Sequence, residues 1–400
     1  RYVHGFDEFA RHVEQFSPAK VSEVTGVPQE TIHRFAWMLA EYRPPLIFIG
    51  YGLQRRRGGA EIVRSIAVLP ALLGVHRGFY YSNTDGLAID FGYVEGAHLG
   101  RPARVVSMTR LGRYLSRGEF RFVYVHLANP AATLPNSEEV VKGLSRRDVF
   151  VVVHDTHWSD TAKIADLVLP APTHLEKLDV VYSYWHRYVY LNEPLVDVLG
   201  ESLGEYQLMC EIARSLGFKD VCEDPLEIVK RGVGAGVFDE LMSSGRAVLR
   251  YRSLCEYQTP TKRIELAVSQ RGRAGKLPEP PTLGVLGGSE FLLVTSAHPL
   301  YVHTQFEDVY GDIPPYIYMN PSDARKMGVG EGDEVVLTNS QGSVRMFVKL
   351  SSDIPRKVLW APRDASTLDG RRINVVVVDE VDDESGGAAI NSTIVRVSRA

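Results

Sequence analysis

Three short apolar runs, two of them ending on polar residues and all separated by helical stretches, constrain this chain more than any other feature. Phe122 to Leu127 leads into Asn129-Pro130, Val149 to Val153 into His154-Asp155, and Asp166 to Leu169 into Pro170. Between the first two, Pro135 to Leu144 has the spacing of a helix with Asn136 or Ser137 as its cap. Between the second and third, Asp160 to Ala165 has room for one or two helical turns. Strands of this kind alternating with helices predict a parallel, doubly wound sheet. An earlier segment repeats half of the pattern. Leu46-Ile47-Phe48-Ile49 reads as a fully buried strand, runs into Gly50-Tyr51-Gly52 and the basic Arg55-Arg56-Arg57, and leads to a helix with Ile62, Ile66, Leu69 and Leu73 on one side. Two helices precede it, one from Ser17-Pro18 to Gly26 and one from Pro28 to the stop at Pro44.

After Gly288 the period changes. Phe291 to Thr295 reads as a strand, and Asn320 caps a helix with Pro321 in its first turn and Gly328 past its end. Glu334 to Thr338 and Ser343 to Leu350 flank the turn Asn339-Ser340-Gln341-Gly342. Val358 to Ala361, Val375 to Val378 and Thr393 to Val397 supply further strands, so the last 110 or so residues read as a small β-barrel. A helix covers 205–217. The stretch from about 220 to 290 is poor in periodicity, with glycines between 232 and 236, Pro278, Pro280 and Pro281, and a strand expected over Arg263 to Val268. The divisions read from these patterns are 1–90, 91–222, 223–288 as a connecting segment, and 289–400.

Composition narrows the function. The 400 residues carry a net charge of −4, which gives no electrostatic argument for nucleic acid or an anionic membrane. No apolar run reaches the roughly 18 residues a membrane helix needs. The three cysteines, Cys210, Cys222 and Cys255, include no C-x-x-C pair, so the chain has no thiolate set for an iron–sulfur cluster or a zinc ribbon, and it is no disulfide scaffold.

The polar residues at strand ends are the candidate site. Ligands of open α/β sheets bind past the carboxyl ends of the strands, where Asn129, His154 and Asp155 stand. An Asp there can accept from a guanine or a ribose, and an Asn can both donate and accept; both also serve as turn caps. Gly50-x-Gly52 with Arg55 to Arg57 has the parts of a phosphate site, namely close backbone approach, a helix N-terminus and cationic donors. Taken alone, it suits a glycine turn beside a solvated basic face better. His154-x-x-His157 has metal-like spacing without a third ligand. His298 and His303 flank Pro299 just after a strand. No G-x-S-x-G elbow supports a catalytic triad.

Together these segments resemble the molybdopterin oxidoreductase family, whose members hold molybdenum or tungsten through two pyranopterin guanine dinucleotides. Phe122 to Asn136 is similar to the family's "NP" strand and loop. Val151 to Pro170 is similar to its T-A-x-x-A-D-x-V-L-P signature, and Thr173-x-x-Glu176 follows in register. Thr259 to Leu266 resembles the step before the last domain. Asn320-Pro-x-Asp-Ala and Gly330-x-Gly-Asp-Glu-Val resemble its dinucleotide-binding barrel. The resemblance implies an α/β fold with doubly wound regions followed by a six-stranded double-psi-type barrel. It implies contacts to one dinucleotide from Gly50, Tyr51, Gly52 and Arg55. It implies contacts to guanosine or pterin from Asn129, His154, Asp155, Lys177 and Glu205. The barrel's opening loop, with Thr295, Ser296, Ala297, His298, His303 and Thr304, is implied to cradle pterin and phosphates, and Asn374 and Asn391 to add two late contacts. No metal ligand and no catalytic residue is assigned.

The departures are equally informative. Relatives carry a cysteine-rich iron–sulfur module and a metal-binding side chain in an N-terminal part that has no counterpart here, and the chain begins at Arg1 rather than Met. The expectation is therefore a C-terminal portion of a catalytic subunit, inactive alone, with any 4Fe-4S cluster in the part that precedes it. Implied partners are that part or a separate metal-ligating chain, an iron–sulfur electron-transfer subunit and a membrane-anchor subunit. Gly74 to Asn83 departs from the family's glycine-rich loop, and no R-G-x-x-N stretch supports formate as substrate. The segment outline leans toward polysulfide or thiosulfate reductases. The alternatives are a natural split subunit and a cofactor-free structural subunit of a respiratory complex.

Overall fold

β-branched residues fill the centre of the chain's main parallel sheet. In the computed structural model, which describes residues 2–75, 78–82, 87–100, 104–218, 221–251, 257, 259–267, 284 and 286–400, strands Phe122–His126, Phe150–Asp155 and Leu167–Pro170 lie side by side in that order, all parallel. Val151 to His154 are buried, and Val125, Val151 and Val153 pack with Leu115, Leu134, Val140 and Leu144. Burial on this scale supplies about 25 cal/mol per Å² of apolar surface. Helix Ser137–Leu144 lies against helix Leu111–Ser116 so closely that a Cβ on Gly143 would come within 2.4 Å of Leu115 Cβ.

The chain divides into two units by contact. One contains Arg1–Gly86, Arg252–Leu283 and Asp382–Gly387, and the other contains the remainder. The larger unit holds the parallel sheet and a closed six-stranded barrel. Its strands run in the order Glu290–Ser296, Val358–Pro362, Tyr316–Met319, Ser343–Leu350, Glu334–Thr338 and Thr393–Arg399, which pairs back with the first. Alternate residues point inward, so Phe291, Leu293, Ile317, Met319, Val335, Leu337, Val344, Met346, Leu359 and Val395 form one core. The helix from Pro321 to Met327 has Asn320 as its cap and Gly328 in the left-handed region after it, as the sequence pattern requires.

Four sequence expectations need correction. Val375 to Val378 is not a strand. A single turn, Ile373–Val375, occupies its start, and the backbone groups that a ladder would use are taken elsewhere. Val376 O accepts from Asn339 Nδ2, Val377 O from Asn136 N, and Val378 N donates to Thr393 Oγ1. The sixth barrel strand is instead Tyr316–Met319, which no expected strand covers. Asn136 stands at the helix cap but makes no side-chain cap bond, because its amide reaches Asp379.

The fourth correction lies in the smaller unit. Among the described residues Ile47–Phe48 pairs in parallel only with Phe79–Tyr80, and Leu46 and Phe48 are 57% and 62% exposed rather than fully buried. With two strands among the described residues, this sheet leaves Leu46 and Phe48 open to solvent. Helices Pro18–Thr25, Gln29–Glu41 and Gly59–Leu72 follow the expected positions. Val3–His4 pairs with Ile264–Glu265, a short version of the strand expected near 263, whose end at Val268 lies outside the described residues.

The stretch after 220 holds helices Pro225–Val233 and Ala235–Ser244 and strand Arg246–Val248, which joins Tyr188–Asn192 and Asp179–Val181 in a third sheet. Gly234 separates the two helices, so the glycines that hid the periodicity are the joint between them. Cys210 and Cys222 form a disulfide. Cys255, Pro278, Pro280 and Pro281 lie outside the described residues, as do His76, Arg77 and Asn83 of the departed glycine-rich loop.

Candidate functional site

Asn129 follows the first strand of the parallel sheet and Asp155 ends the second, so both stand at the same edge. The Asn129 side chain is a strut. Its Oδ1 accepts from Thr161 N at 3.0 Å and Thr161 Oγ1 at 2.9 Å, and its Nδ2 donates to Thr304 Oγ1 at 3.1 Å. Thr304 belongs to the barrel's opening loop, so one amide joins the sheet edge to the barrel. Asp155 accepts from Thr156 N at 2.8 Å and Ser159 Oγ at 2.9 Å, leaving each carboxylate oxygen with further acceptor capacity.

His154, beside it, is fully buried. Its Nε2 donates to Leu203 O at 3.0 Å, which leaves Nδ1 to accept from the Tyr124 hydroxyl at 2.9 Å. Both ring nitrogens are thus in use within the fold. Lys177 and Glu205, separate on the sequence, form one pair at 2.8 Å, with His126 3.5 Å from the carboxylate. Burial disfavours both charges, but each outweighs that penalty for the other: Lys177 is held above the usual ammonium range and Glu205 below the usual carboxylate range.

In the barrel, Asn391 Oδ1 accepts from Thr295 N at 3.4 Å and Ser296 Oγ accepts from Trp360 Nε1 at 2.7 Å. His298, next to Ala297, accepts from Leu300 N and lies against the Tyr301 ring. His303 and Asn374 converge on a residue absent from the sequence candidates. Asp364, fully buried, has one oxygen 2.9 Å from His303 Nδ1 and accepts from Asn374 Nδ2 at 2.9 Å with the other. Arg372 was also missed. It donates to Asp160 at the sheet edge, to Glu307 of the barrel loop and to the Asp364 carbonyl. Burial works against its charge, yet the two carboxylates more than offset this and raise its pKa above the ordinary guanidinium value. Neither Asp364 nor Arg372 sits in a motif; only the fold gives them partners.

The remaining candidates lie in the smaller unit. Among the described residues, a Cβ on Gly50 or Gly52 would meet nothing within 4 Å, so these glycines face space open to a ligand. Tyr51 packs edge-on against Tyr81 at 4.8 Å, and the Tyr81 hydroxyl donates to Gln54. Arg55 N donates to Gly52 O, closing the turn. Next to it, Arg56 Nε is buried without a hydrogen-bond partner among the described residues. Open space before two glycines and an orphaned cationic donor fit a phosphate group. No group of three or more His, Cys, Asp or Glu that could hold a metal ion occurs among the described residues.

Two family models match the sequence: "Molybdopterin oxidoreductase" over residues 13–215 and "Molydopterin dinucleotide binding domain" over residues 291–394. The chain belongs to the molybdopterin oxidoreductase family. Among family members, the "Probable oxidoreductase YoaE" of Bacillus subtilis is 30% identical over the whole chain, which spans 63% of that relative. The "Dimethyl sulfoxide/trimethylamine N-oxide reductase" of Rhodobacter capsulatus is 25% identical over 90% of the chain and 54% of the relative. The chain thus spans less than two thirds of the length of these curated relatives. Acetylene hydratase from Pelobacter acetylenicus shares the fold, with a TM-score of 0.80 at 16% identity over 100% of this chain and 67% of that one. Among the described residues, no helix of this family member is long and apolar enough to cross a membrane.

Proposed function

We infer that this chain is the cofactor-cradling part of a molybdenum or tungsten oxidoreductase that holds a bis-molybdopterin guanine dinucleotide. The observation that carries the reading is the hydrogen-bonded set Asn129–Thr304 and His303–Asp364–Asn374, which draws four of the sequence-selected residues to the junction of sheet edge and barrel. Asp155 keeps acceptor capacity for a guanine, and the residues of the barrel's opening loop orient the pterin. In the smaller unit, Gly50, Tyr51, Gly52 and Arg55, with Arg56, hold the phosphates of one dinucleotide. When bound, the group supplies two-electron chemistry at the metal with oxygen or sulfur transfer; the chain's share is orientation and electrostatic surroundings.

The three cysteines offer no cluster ligands, so a 4Fe-4S cluster and the metal ligand belong to the length of the relatives that this chain does not span. An iron–sulfur electron-transfer subunit and a membrane anchor complete the proposed assembly. The test is metal and nucleotide analysis of the intact purified protein, with molybdenum or tungsten and released GMP expected. Absence of both would favour the cofactor-free structural subunit. In the same assay, Asp155→Ala lowers dinucleotide content without unfolding the domain; unaltered content removes Asp155 from the site.

A further inference from the structure

The Asp364 carboxylate is fully buried, and among the described residues its side-chain partners are Asn374 and His303. The nearby guanidinium of Arg372 donates to the Asp364 backbone carbonyl rather than its carboxylate and is committed to Asp160, Glu307 and the Ser366 hydroxyl. A carboxylate out of water needs hydrogen-bond donors. The amide of Asn374 is one donor, and the ring Nδ1–H of His303 is the other available.

His303 is fixed by its backbone as well. It sits in the left-handed region, at φ 54°, in a tight turn closed by Gln305 N on Val302 O at 3.1 Å. The following residue, Thr304, is held by Asn129. Its ring is therefore anchored at Nδ1 while the side chain remains half exposed. A proton kept on Nδ1 leaves a bare lone pair at Nε2.

We propose that Asp364 is a positioning residue that locks His303 as the Nδ1–H tautomer, so that Nε2 accepts a hydrogen bond from an N–H of the bound heterocycle. This rests on the cofactor reading above and specifies one of its contacts. A neutral imidazole locked this way selects the N–H edge of a pterin over a phosphate oxygen, which needs a donor. Asn374 makes the lock directional. It occupies one oxygen of Asp364, so an Asn at 364 keeps its carbonyl toward Asn374 and turns its NH2 toward His303. That forces the opposite tautomer.

The test is selective ¹⁵N-histidine labelling of the intact protein, read by long-range ¹H–¹⁵N correlation at a pH where the ring is neutral. The His303 signals are assigned by their loss in His303→Gln. The expected wild-type pattern is protonated Nδ1 with bare Nε2, reversed in Asp364→Asn. A wild-type Nε2–H tautomer, or no change in Asp364→Asn, overturns the lock. Asp364→Asn is expected to lower cofactor retention about five-fold, the worth of one hydrogen bond. His303→Gln keeps an acceptor near the Nε2 position without needing the lock, so adding Asp364→Asn to it should cause no further loss. A further five-fold loss in that double variant would show Asp364 to be merely structural. The tautomer is read without any cofactor. A locked ring in a protein without pterin or GMP overturns the proposed function and the ligand half of this inference; an unlocked ring in a loaded protein overturns the inference alone.

Discussion

Arg113, on the helix Leu111–Ser116, closes a two-pronged fork on the carboxylate of Asp379, 266 residues further along the chain. Asn136 and Gln341 donate to the same carboxylate, which is 2% exposed. Burial alone would raise the Asp379 pKa, but the Arg113 bonds and Asn136 outweigh it and hold the group below its ordinary value of 3.8. A carboxylate with a lowered folded pKa stabilises fully above the unfolded value and loses that contribution as pH falls through the folded one. Asp379→Asn should therefore cost about 2 kcal/mol at neutral pH. The difference in melting temperature from wild type should shrink as pH falls below 3.8. A constant difference from pH 7 to acid would rule out the charged pair as its source.

Two glycines separate packing from ligand access. Gly143→Ala places a Cβ within 2.4 Å of Leu115 Cβ and 2.8 Å of backbone, so overpacking should cost about 1–3 kcal/mol in denaturant unfolding. Gly52→Ala meets nothing within 4 Å. It should leave stability within about 0.5 kcal/mol of wild type while lowering retained cofactor. Equal stability losses in the two variants would contradict this division.

Both ring nitrogens of His154 are bonded within the fold, one to the Tyr124 hydroxyl and one to the Leu203 carbonyl. His154→Phe leaves the Tyr124 hydroxyl and the Leu203 carbonyl without their partner, and should lower stability by about 2–4 kcal/mol. Cofactor loss without a drop in melting temperature would instead place the ring against the ligand.

The Cys210–Cys222 bridge closes a short loop, with a sequence separation of 12. Loop-closure entropy predicts about 3 kcal/mol for a loop of this size. Cys210→Ser should lower the unfolding free energy by that order without reductant and make little difference with it. A variant equally less stable under both conditions would point to packing of the thiol rather than the bridge.

The chain's own order of residues was enough to determine the parallel sheet, most of the barrel strands and the family, because those depend on short-range periodicity and on motifs such as residues 161–170. Val151 to Val153 must be buried between layers, and Asn320-Pro321 with Gly328 must bound a helix, whatever surrounds them. Only the tertiary structure decided which candidates work together. His303, Asn374 and Asp364 are separated by 61 and 10 residues, and nothing local ties them. The same holds for Arg372 with Asp160 and for Arg113 with Asp379. Where sequence pattern misled, the reason was again non-local. The valines of 375–378 look like a strand until loops and side chains from elsewhere take their backbone hydrogen bonds. Leu46 and Phe48 look like core until the sheet around them is seen to have two strands. Periodicity reports how a segment meets a layer, whereas a site is made where segments distant in sequence close on one another.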